Sequence, residues 1–489
     1  MRFRKSKKLC LAIAAASLLT LPTSRAQQLA IATYYTPSAF PYGITNGPES
    51  DLWVSLPTNI ARVSTAGTIT EYATPDNNNT GFITVGPDGA LWFSGTYSNN
   101  IGRMTTAGAF TLFPVPTPDS LPTGIASGSD GNIWFTENYG NKIGRMTTTG
   151  VVTEYPLSIT NSSPNVIAPG PDGALWFTQS AGYIGRITTS GTVTEYAVPT
   201  PDSGPFGITS GPDGALWFTE SAGKIGRITT SGSITEFPLP SGSGSPTGIT
   251  PGPDGTLWFA QRGQIGSITT AGAITEYAIP GGTLAISIVT GPDGNMWFTQ
   301  DTANAIGEGV FVTAGLTVTP DTGSYQTDLT FTGSAFAPNE KVQIYREGVG
   351  SHVLASATTD SSGSFTVTAR NPEEAYGPRI FLGAGQTSGK LGAASFSMTP
   401  RLVVTPNSGP LGSAISVSGY GFGTLDQVEI NWYTLDQFLG FTQTNQYGSF
   451  NGSAALSTTV PSNADSGLNV LLGIGYFIHV DATVRFTVE

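Results

Sequence analysis

The stretch Pro205–Pro240 reads PFGITSGPDGALWFTESAGKIGRITTSGSITEFPLP. It divides into short apolar runs separated by turn formers. GIT, ALWFT, KIGRIT and ITEF are strand-length pieces rich in β-branched and aromatic residues, and GPDG and TTSG are hairpin turns whose glycines can take positive φ. Four strands joined by such turns make one antiparallel sheet. ALWFT is apolar on both faces, the pattern of a strand covered from both sides.

The same text recurs along the chain. Trp53, Trp92, Trp134, Trp176, Trp217, Trp258 and Trp297 follow one another at intervals of 39, 42, 42, 41, 41 and 39 residues. A period near 40 with four strands per copy is that of β-propeller blades. Tryptophan at one fixed position of each copy is read as packing between blades. The last copy, ending near Ile306-Gly307-Glu308-Gly309-Val310, lacks an ITEY strand, and the missing piece is found at the other end of the repeat, where Ile31–Pro37 reads IATYYTP. The reading is therefore a seven-bladed propeller over residues 27–312, closed by its first strand so that no sheet edge is left open.

Gly (63) and Pro (34) make up about a fifth of the 489 residues, charged residues only 11%, yet aromatics reach 10%. That balance excludes a disordered chain and fits all-β structure with frequent turns. The first residues differ. Arg2, Arg4, Lys5, Lys7 and Lys8 precede an apolar run from Leu9 to Leu21, and Ser24-Arg25-Ala26 has the small residues of a cleavage site. Residues 1–26 are read as a secretory signal peptide, too short in its apolar part to span a membrane. Cys10, the only cysteine, lies inside it. The mature chain would then carry 15 basic against 33 acidic residues, a net charge of −18. Such a surface repels phosphate backbones, so nucleic acid is excluded as a partner and the protein is expected outside the cell, in the periplasm or on the envelope.

After Val312 a second duplication begins. Leu316–Pro320 (LTVTP) returns as Leu402–Pro406 (LVVTP), Gly333–Phe336 (GSAF) as Gly419–Phe422 (GYGF), and SSGSF ending at Phe365 as QYGSF ending at Phe450. Units of about 85 residues built from short alternating strands have the size and pattern of β-sandwiches. Residues 313–400 and 401–489 resemble bacterial Ig-like modules of the transcription-factor-immunoglobulin type, expected to act as spacers or adhesion units. Trp432 and His479 are expected to pack or to lie on the surface.

The turns hardly vary between copies, but the loops before the innermost strand and after the second strand do, and variable loops on a rigid scaffold are where binding sits. The residues before the innermost strand are Tyr42, Gly81, Thr123, Asn165, Phe206, Thr247 and Ile286. After the second strand come Glu137, Gln179, Glu220, Gln261 and Gln300, with Tyr139, Tyr183, Arg262 and Asp301 nearby. Tyr42, Glu137, Phe206, Glu220, Gln261, Arg262 and Gln300 are the ligand-binding candidates, suited to an extracellular small molecule, saccharide or protein. Arg62, Arg103, Arg145, Arg186 and Arg227 recur in the third strand and are expected to pair with nearby carboxylates or turn carbonyls. The Asp of PDG is read as a turn former and the Glu of ITEY as outer-strand surface.

The repeated GIT-x-GPDGALWFTE-xxxx-KIGRITT-x-G-x-ITEYPLP strongly resembles the virginiamycin B lyase family over residues 28–312. The resemblance implies elimination across an ester C–O bond of a cyclic depsipeptide antibiotic, with a histidine base and a magnesium ion. It also implies where that machinery would lie. The family's histidine positions fall on Ile286 and Thr247, and its two metal-binding carboxylate positions on Leu284 and Asp301. The propeller segment has no histidine, since His352 and His479 lie beyond it. No cofactor is expected, and magnesium only if lyase activity is retained, with Asp301 as its one remaining ligand. Three functions are compatible with this sequence: a secreted non-catalytic ligand-binding protein, a C–O lyase with an altered base and substrate, and a structural adhesion platform at the cell surface.

Overall fold

The computed structural model describes residues 28–489 apart from 39, 66, 76–79, 241–243, 280, 347–351, 373–376, 424–425, 436, 446–447 and 476–479. The expected leader, with Cys10, and His479 lie outside the described residues. Among the described residues there are seven four-stranded antiparallel sheets, then two pairs of a three-stranded and a five-stranded sheet. No helix among them is long and apolar enough to cross a membrane.

In the copy quoted above the strands are Pro205–Ser210, Leu216–Glu220, Lys224–Ile228 and Ile234–Pro238, paired in that order. Gly214 in the PDG turn has φ +74°, the left-handed region that glycine tolerates. Gly226 is required for another reason: a Cβ there would stand 2.0 Å from the Phe218 ring, which lies across the third strand. The innermost strand of each sheet adjoins that of the next, and Ala285–Thr290 of the last adjoins Ile44–Asn46 of the first, so the row of sheets closes on itself. Gln28–Tyr35 forms the outermost strand of the last sheet, antiparallel to Ala305–Val312 from Gln28↔Val312 to Tyr35↔Ala305.

Each tryptophan is buried between its own sheet and the next. Trp53, for example, shares a core with Ile60 of its own sheet and with Leu91, Phe93 and Met104 of the following one. Its indole also stacks on the outer-strand Tyr72, and the pattern repeats to Trp297 on Tyr34 at 5.4 Å. The Asp of the PDG turn takes the indole N–H and often the arginine of the third strand as well. Asp213 accepts from Trp217 Nε1 at 3.0 Å and from Arg227 Nε at 2.6 Å. Most of the arginines thus meet carboxylates, as at Arg103–Asp88 and Arg186–Asp172, while Arg145 donates to the Thr189 carbonyl in a turn at 3.2 Å. In the last sheet this position is Glu308, buried, accepting from Tyr34 Oη at 2.6 Å and Asn295 Nδ2 at 2.7 Å across the closing seam.

A second repeated device joins the innermost strands. Thr219 Oγ1 accepts the Gly207 N–H at 2.8 Å and donates to the Thr247 carbonyl of the next sheet at 2.6 Å. Ser55 does the same toward Gly81, Ser94 donates toward Thr123, Thr136 toward Asn165 and Thr178 toward Phe206, and Thr299 closes the circuit on the Tyr42 carbonyl at 3.0 Å. Only Ala260 lacks the hydroxyl, and there the Gly248 N–H reaches Ile286 O directly at 2.7 Å.

The remaining sheets form two units, each with one core shared between its three-stranded and five-stranded sheets. Trp432 is fully buried in the second, its indole N–H on Asn469 Oδ1. The first unit rests on the closing sheet: Val310 is buried with Tyr345, Leu382 and Ala384, and the Arg379 guanidinium lies 5.5 Å above the Tyr35 ring. The two units meet at Tyr325 and Tyr420, stacked at 4.3 Å.

Thr219→Val is expected to destabilise the protein by about 1–3 kcal/mol, because it strands the Gly207 N–H and the Thr247 carbonyl in a buried setting. Thr219→Ser keeps the oxygen, as Ser55 and Ser94 do, and is expected to lose less than half as much; urea unfolding of both variants measures the difference.

Candidate functional site

The loops before the innermost strands and after the second strands gather at one end of the ring. Tyr42 and Phe206, half-buried, are joined there by Phe82. Tyr42 packs edge-on against Phe82 with ring centroids 5.1 Å apart, and Phe82 meets Phe206 at 6.3 Å. Phe82 belongs to the second sheet and Phe206 to the fifth, so the three rings meet across the middle of the ring rather than within one blade. Burial raises the Tyr42 hydroxyl above its ordinary pKa, and nearby Asp301 and Tyr97 add to this. Burial also raises Asp301, which opens the short turn Asp301–Ala303 with its N–H on Leu284 O. Tyr97, Tyr139 and Phe40 are exposed on the same loops. Arg262 is exposed too, on a hairpin whose backbone bridges to Leu284.

Four of the expected ligand-binding residues take a different place. Glu137, Glu220, Gln261 and Gln300 are 0–1% exposed and point into their own blades. Each is the last residue of a second strand and faces the first residue of the third, as in Glu137↔Lys142 and Glu220↔Lys224. For Glu137, Glu220 and Gln261 the neighbour is the outer-strand glutamate, whereas Gln300 accepts from the Thr283 hydroxyl and approaches Thr33. Gln179 Nε2 donates to Glu195 Oε1 at 2.6 Å, and Gln261 Nε2 to Glu276 Oε1 at 2.9 Å. That glutamate is a clamp rather than open surface: Glu236 accepts the Thr200 N–H and hydroxyl at 2.9 and 2.6 Å, holding the loop that leads into the blade, and pairs with Lys224 at 2.8 Å.

Glu137 and Glu220 stand where two other copies, at Gln179 and Gln261, have a glutamine that donates to this clamp. Burial, then the charge of Glu154 or Glu236, pushes each of them up to about 7, against a partial pull from Lys142 or Lys224 and from the Ser120 or Ser203 hydroxyl. In the protonated state each carries the donor that glutamine carries. Glu308 is a third such group, pushed up to about 8 by burial and Asp293 against its hydrogen bonds from Tyr34 and Asn295.

Thr247 and Ile286 hold backbone and core. The Thr247 hydroxyl spans two carbonyls, Ala285 O at 2.9 Å and Ala260 O at 3.2 Å, and Ile286 is 8% exposed. Among the described residues no three His, Cys, Asp or Glu side chains gather to hold a metal. Asp301, with Leu284, Ile286 and Thr247 around it, offers one carboxylate where magnesium needs several oxygen ligands, so a protein-held magnesium does not fit these residues. His352 is exposed on the first C-terminal unit. Phe82 escaped sequence reasoning because it takes the slot that is glycine at Gly43, Gly124, Gly207 and Gly248; an aromatic in a slot of small residues was the available signal.

Repeated four-stranded sheets around an axis, with aromatic residues gathered among the loops at one end, define a β-propeller. The profile of the virginiamycin B lyase family matches residues 27–246 and 221–319, and the chain belongs to that family. It is similar to the solved virginiamycin B lyase of Staphylococcus aureus, at 40% identity over 58% of this chain and 99% of that one, with a TM-score of 0.56. It is also similar to a streptogramin B lyase structure, at 38% identity over 58% and 98%, TM-score 0.56. The extracellular domain assigned to a one component system of B. thetaiotaomicron shares the fold alone, at 15% identity over 77% of this chain and 58% of that one, TM-score 0.51. No curated protein sequence matches the chain.

Glu137→Gln and Glu220→Gln test the neutral state of these acids. Between pH 4.5 and about 7 the folded protein keeps a proton that the unfolded chain has lost, so the wild type loses stability as pH rises through that window. Each glutamine variant loses its own residue's share of that slope. Each is expected to match the wild type near pH 4.5 and to exceed it by about 1–3 kcal/mol at pH 8 in urea unfolding.

Proposed function

We propose that this is a secreted, seven-bladed propeller of the virginiamycin B lyase family that binds an extracellular ligand at its loop mouth without breaking it. The reading divides the chain into a leader (1–26), the propeller (27–312) and two Ig-like modules (313–400 and 401–489), the latter serving as spacers or adhesion units. The observation that carries it is the replacement of base by backbone support. Thr247 spends its hydroxyl on two carbonyls and Ile286 is an apolar wall, so neither position can take a proton from a substrate. A catalytically inactive histidine-to-alanine variant of the S. aureus enzyme is known in complex with quinupristin, which supports binding without turnover when such a residue is lost. Glu137, Glu220 and Lys224 do not stand in as bases, because they are held inside the blades by the outer-strand clamps.

What remains at the mouth suits recognition. Tyr42, Phe82 and Phe206 offer ring faces and edges, Arg262 a cation, and Tyr97 and Tyr139 exposed rings with hydroxyls, a set that fits a small molecule or saccharide with an apolar face. Asp301 beside Tyr42 is the one carboxylate that keeps the altered lyase open as a second reading.

Incubation of the purified protein with quinupristin, with and without magnesium, is expected to leave the ring intact by mass spectrometry. Ring opening that needs magnesium and disappears in Asp301→Ala would establish the lyase instead. In a thermal-shift screen of small aromatic and saccharide ligands, Phe82→Ala is expected to weaken any mouth ligand about tenfold, the loss of about 1.4 kcal/mol of ring contact.

A further inference from the structure

The two C-terminal units repeat each other in register as well as in sequence. In the first, Gln343 faces Ala384 and Tyr345 faces Leu382; in the second, Glu429 faces Ile474 and Asn431 faces Leu472. The outer faces of the two five-stranded sheets therefore correspond residue by residue. In the first unit that face is covered: Tyr345, Leu382 and Ala384, with Ile380, Leu391 and Ala393, pack on Val310 of the propeller's closing sheet. In the second unit nothing in this chain covers it among the described residues, although two of its strands carry large apolar side chains. Strand Gly467–Gly475 turns Leu468, Val470, Leu472 and Ile474 outward, alternating with buried Asn469, Leu471, Gly473 and Gly475. The edge strand Gln437–Gln443 adds Phe438 and Phe441, rings 4.8 Å apart, opposite Asn431 and Glu429. The first unit has only Val353 and Ser356 at those places. Leu468, Phe438 and Phe441 are 61, 51 and 50% exposed.

An antiparallel sheet with one solvated face carries polar residues on it; four aliphatic residues in alternation plus two phenylalanines mark a surface meant to be covered. The propeller's seat for such a face, at Val310 on the closing sheet, is already occupied by the first unit. We propose that the second unit's outer sheet face is a docking surface for the same face of a second copy of the chain, giving a twofold-symmetric dimer. The face is suited to its own image. The mature chain is strongly acidic, and its copies repel one another over most of the surface, but here Glu429 and Asp481 are balanced in part by Arg485 beside Val470. An isologous contact lets the Arg485 of each copy approach the acidic side of the other. A five-stranded face about six residues long measures roughly 20 Å by 20 Å. Two of them would bury on the order of 1,000 Å2, at the low end of specific interfaces, so the dimer is expected to form in the micromolar range.

Sedimentation equilibrium of the purified chain from about 1 to 100 µM reads the outcome directly. The wild type is expected to shift from monomer to dimer across that range, and the double variant Phe438→Glu, Leu468→Glu to stay monomeric with an unchanged circular dichroism spectrum. Both positions are half-exposed, so the charges do not enter the core. A wild type that remains monomeric at 100 µM overturns the proposal and leaves the face to a foreign partner. A dimer that persists undiminished in the double variant overturns it as well, by placing the contact elsewhere.

Discussion

Seven sheets arranged about an axis have to be held at the centre, where their innermost strands are short and leave little side-chain surface to bury. In this protein the hold is a hydroxyl. In six of the seven sheets a Ser or Thr near the end of the second strand donates to a carbonyl of the next innermost strand, from Ser55 round to Thr299 on Tyr42, and at Ala260 a backbone bond takes its place. Each bond satisfies backbone groups that would otherwise be buried and unpaired, which costs more than the bond itself gains. Because the circuit includes the step from the last sheet to the first, displacing one sheet would break bonds on both of its sides.

The rest of the blade is organised outward from that circuit. Tryptophan fills the wedge between sheets, and its indole N–H is tied to the turn aspartate, which the third-strand arginine also engages. Farther out, the ITEY glutamate pins the loop that enters the blade and needs a neutral donor behind it. Gln179 and Gln261 supply one directly. Glu137 and Glu220 stand at the same place, where burial and the neighbouring carboxylate push each up to about 7. These residues lie directly beneath the loops, buried inside the blades rather than lining the mouth.

At the loop end, the two positions that the family resemblance assigns to histidines hold backbone and core instead. Thr247 and Ile286 are no loss to stability: one ties two carbonyls together and the other packs. The three rings of Tyr42, Phe82 and Phe206 come from blades far apart in sequence and meet only because the ring is closed. Closure by Gln28–Tyr35 likewise does double duty, completing the last sheet and, through its partner strand, presenting Val310 to the first C-terminal unit.

Much of this was legible from residues alone. The tryptophan period, the turn glycines and the incomplete last copy determine four strands per repeat and the source of the missing strand, because these depend on local periodicity and on turn chemistry that adjacent residues dictate. The pairing of the recurring arginines with carboxylates was legible for the same reason, since a residue repeated in most copies answers to a neighbour repeated with it. Only the tertiary structure decided which way the side chains at the strand ends point. Glu137, Glu220, Gln261 and Gln300 adjoin variable loops in sequence, but strand register carries them inward, where burial sets their charge. Phe82 joins the mouth, and Leu472 and Leu382 fare differently on equivalent faces, because convergence on the axis and the covering of a sheet depend on what lies across space.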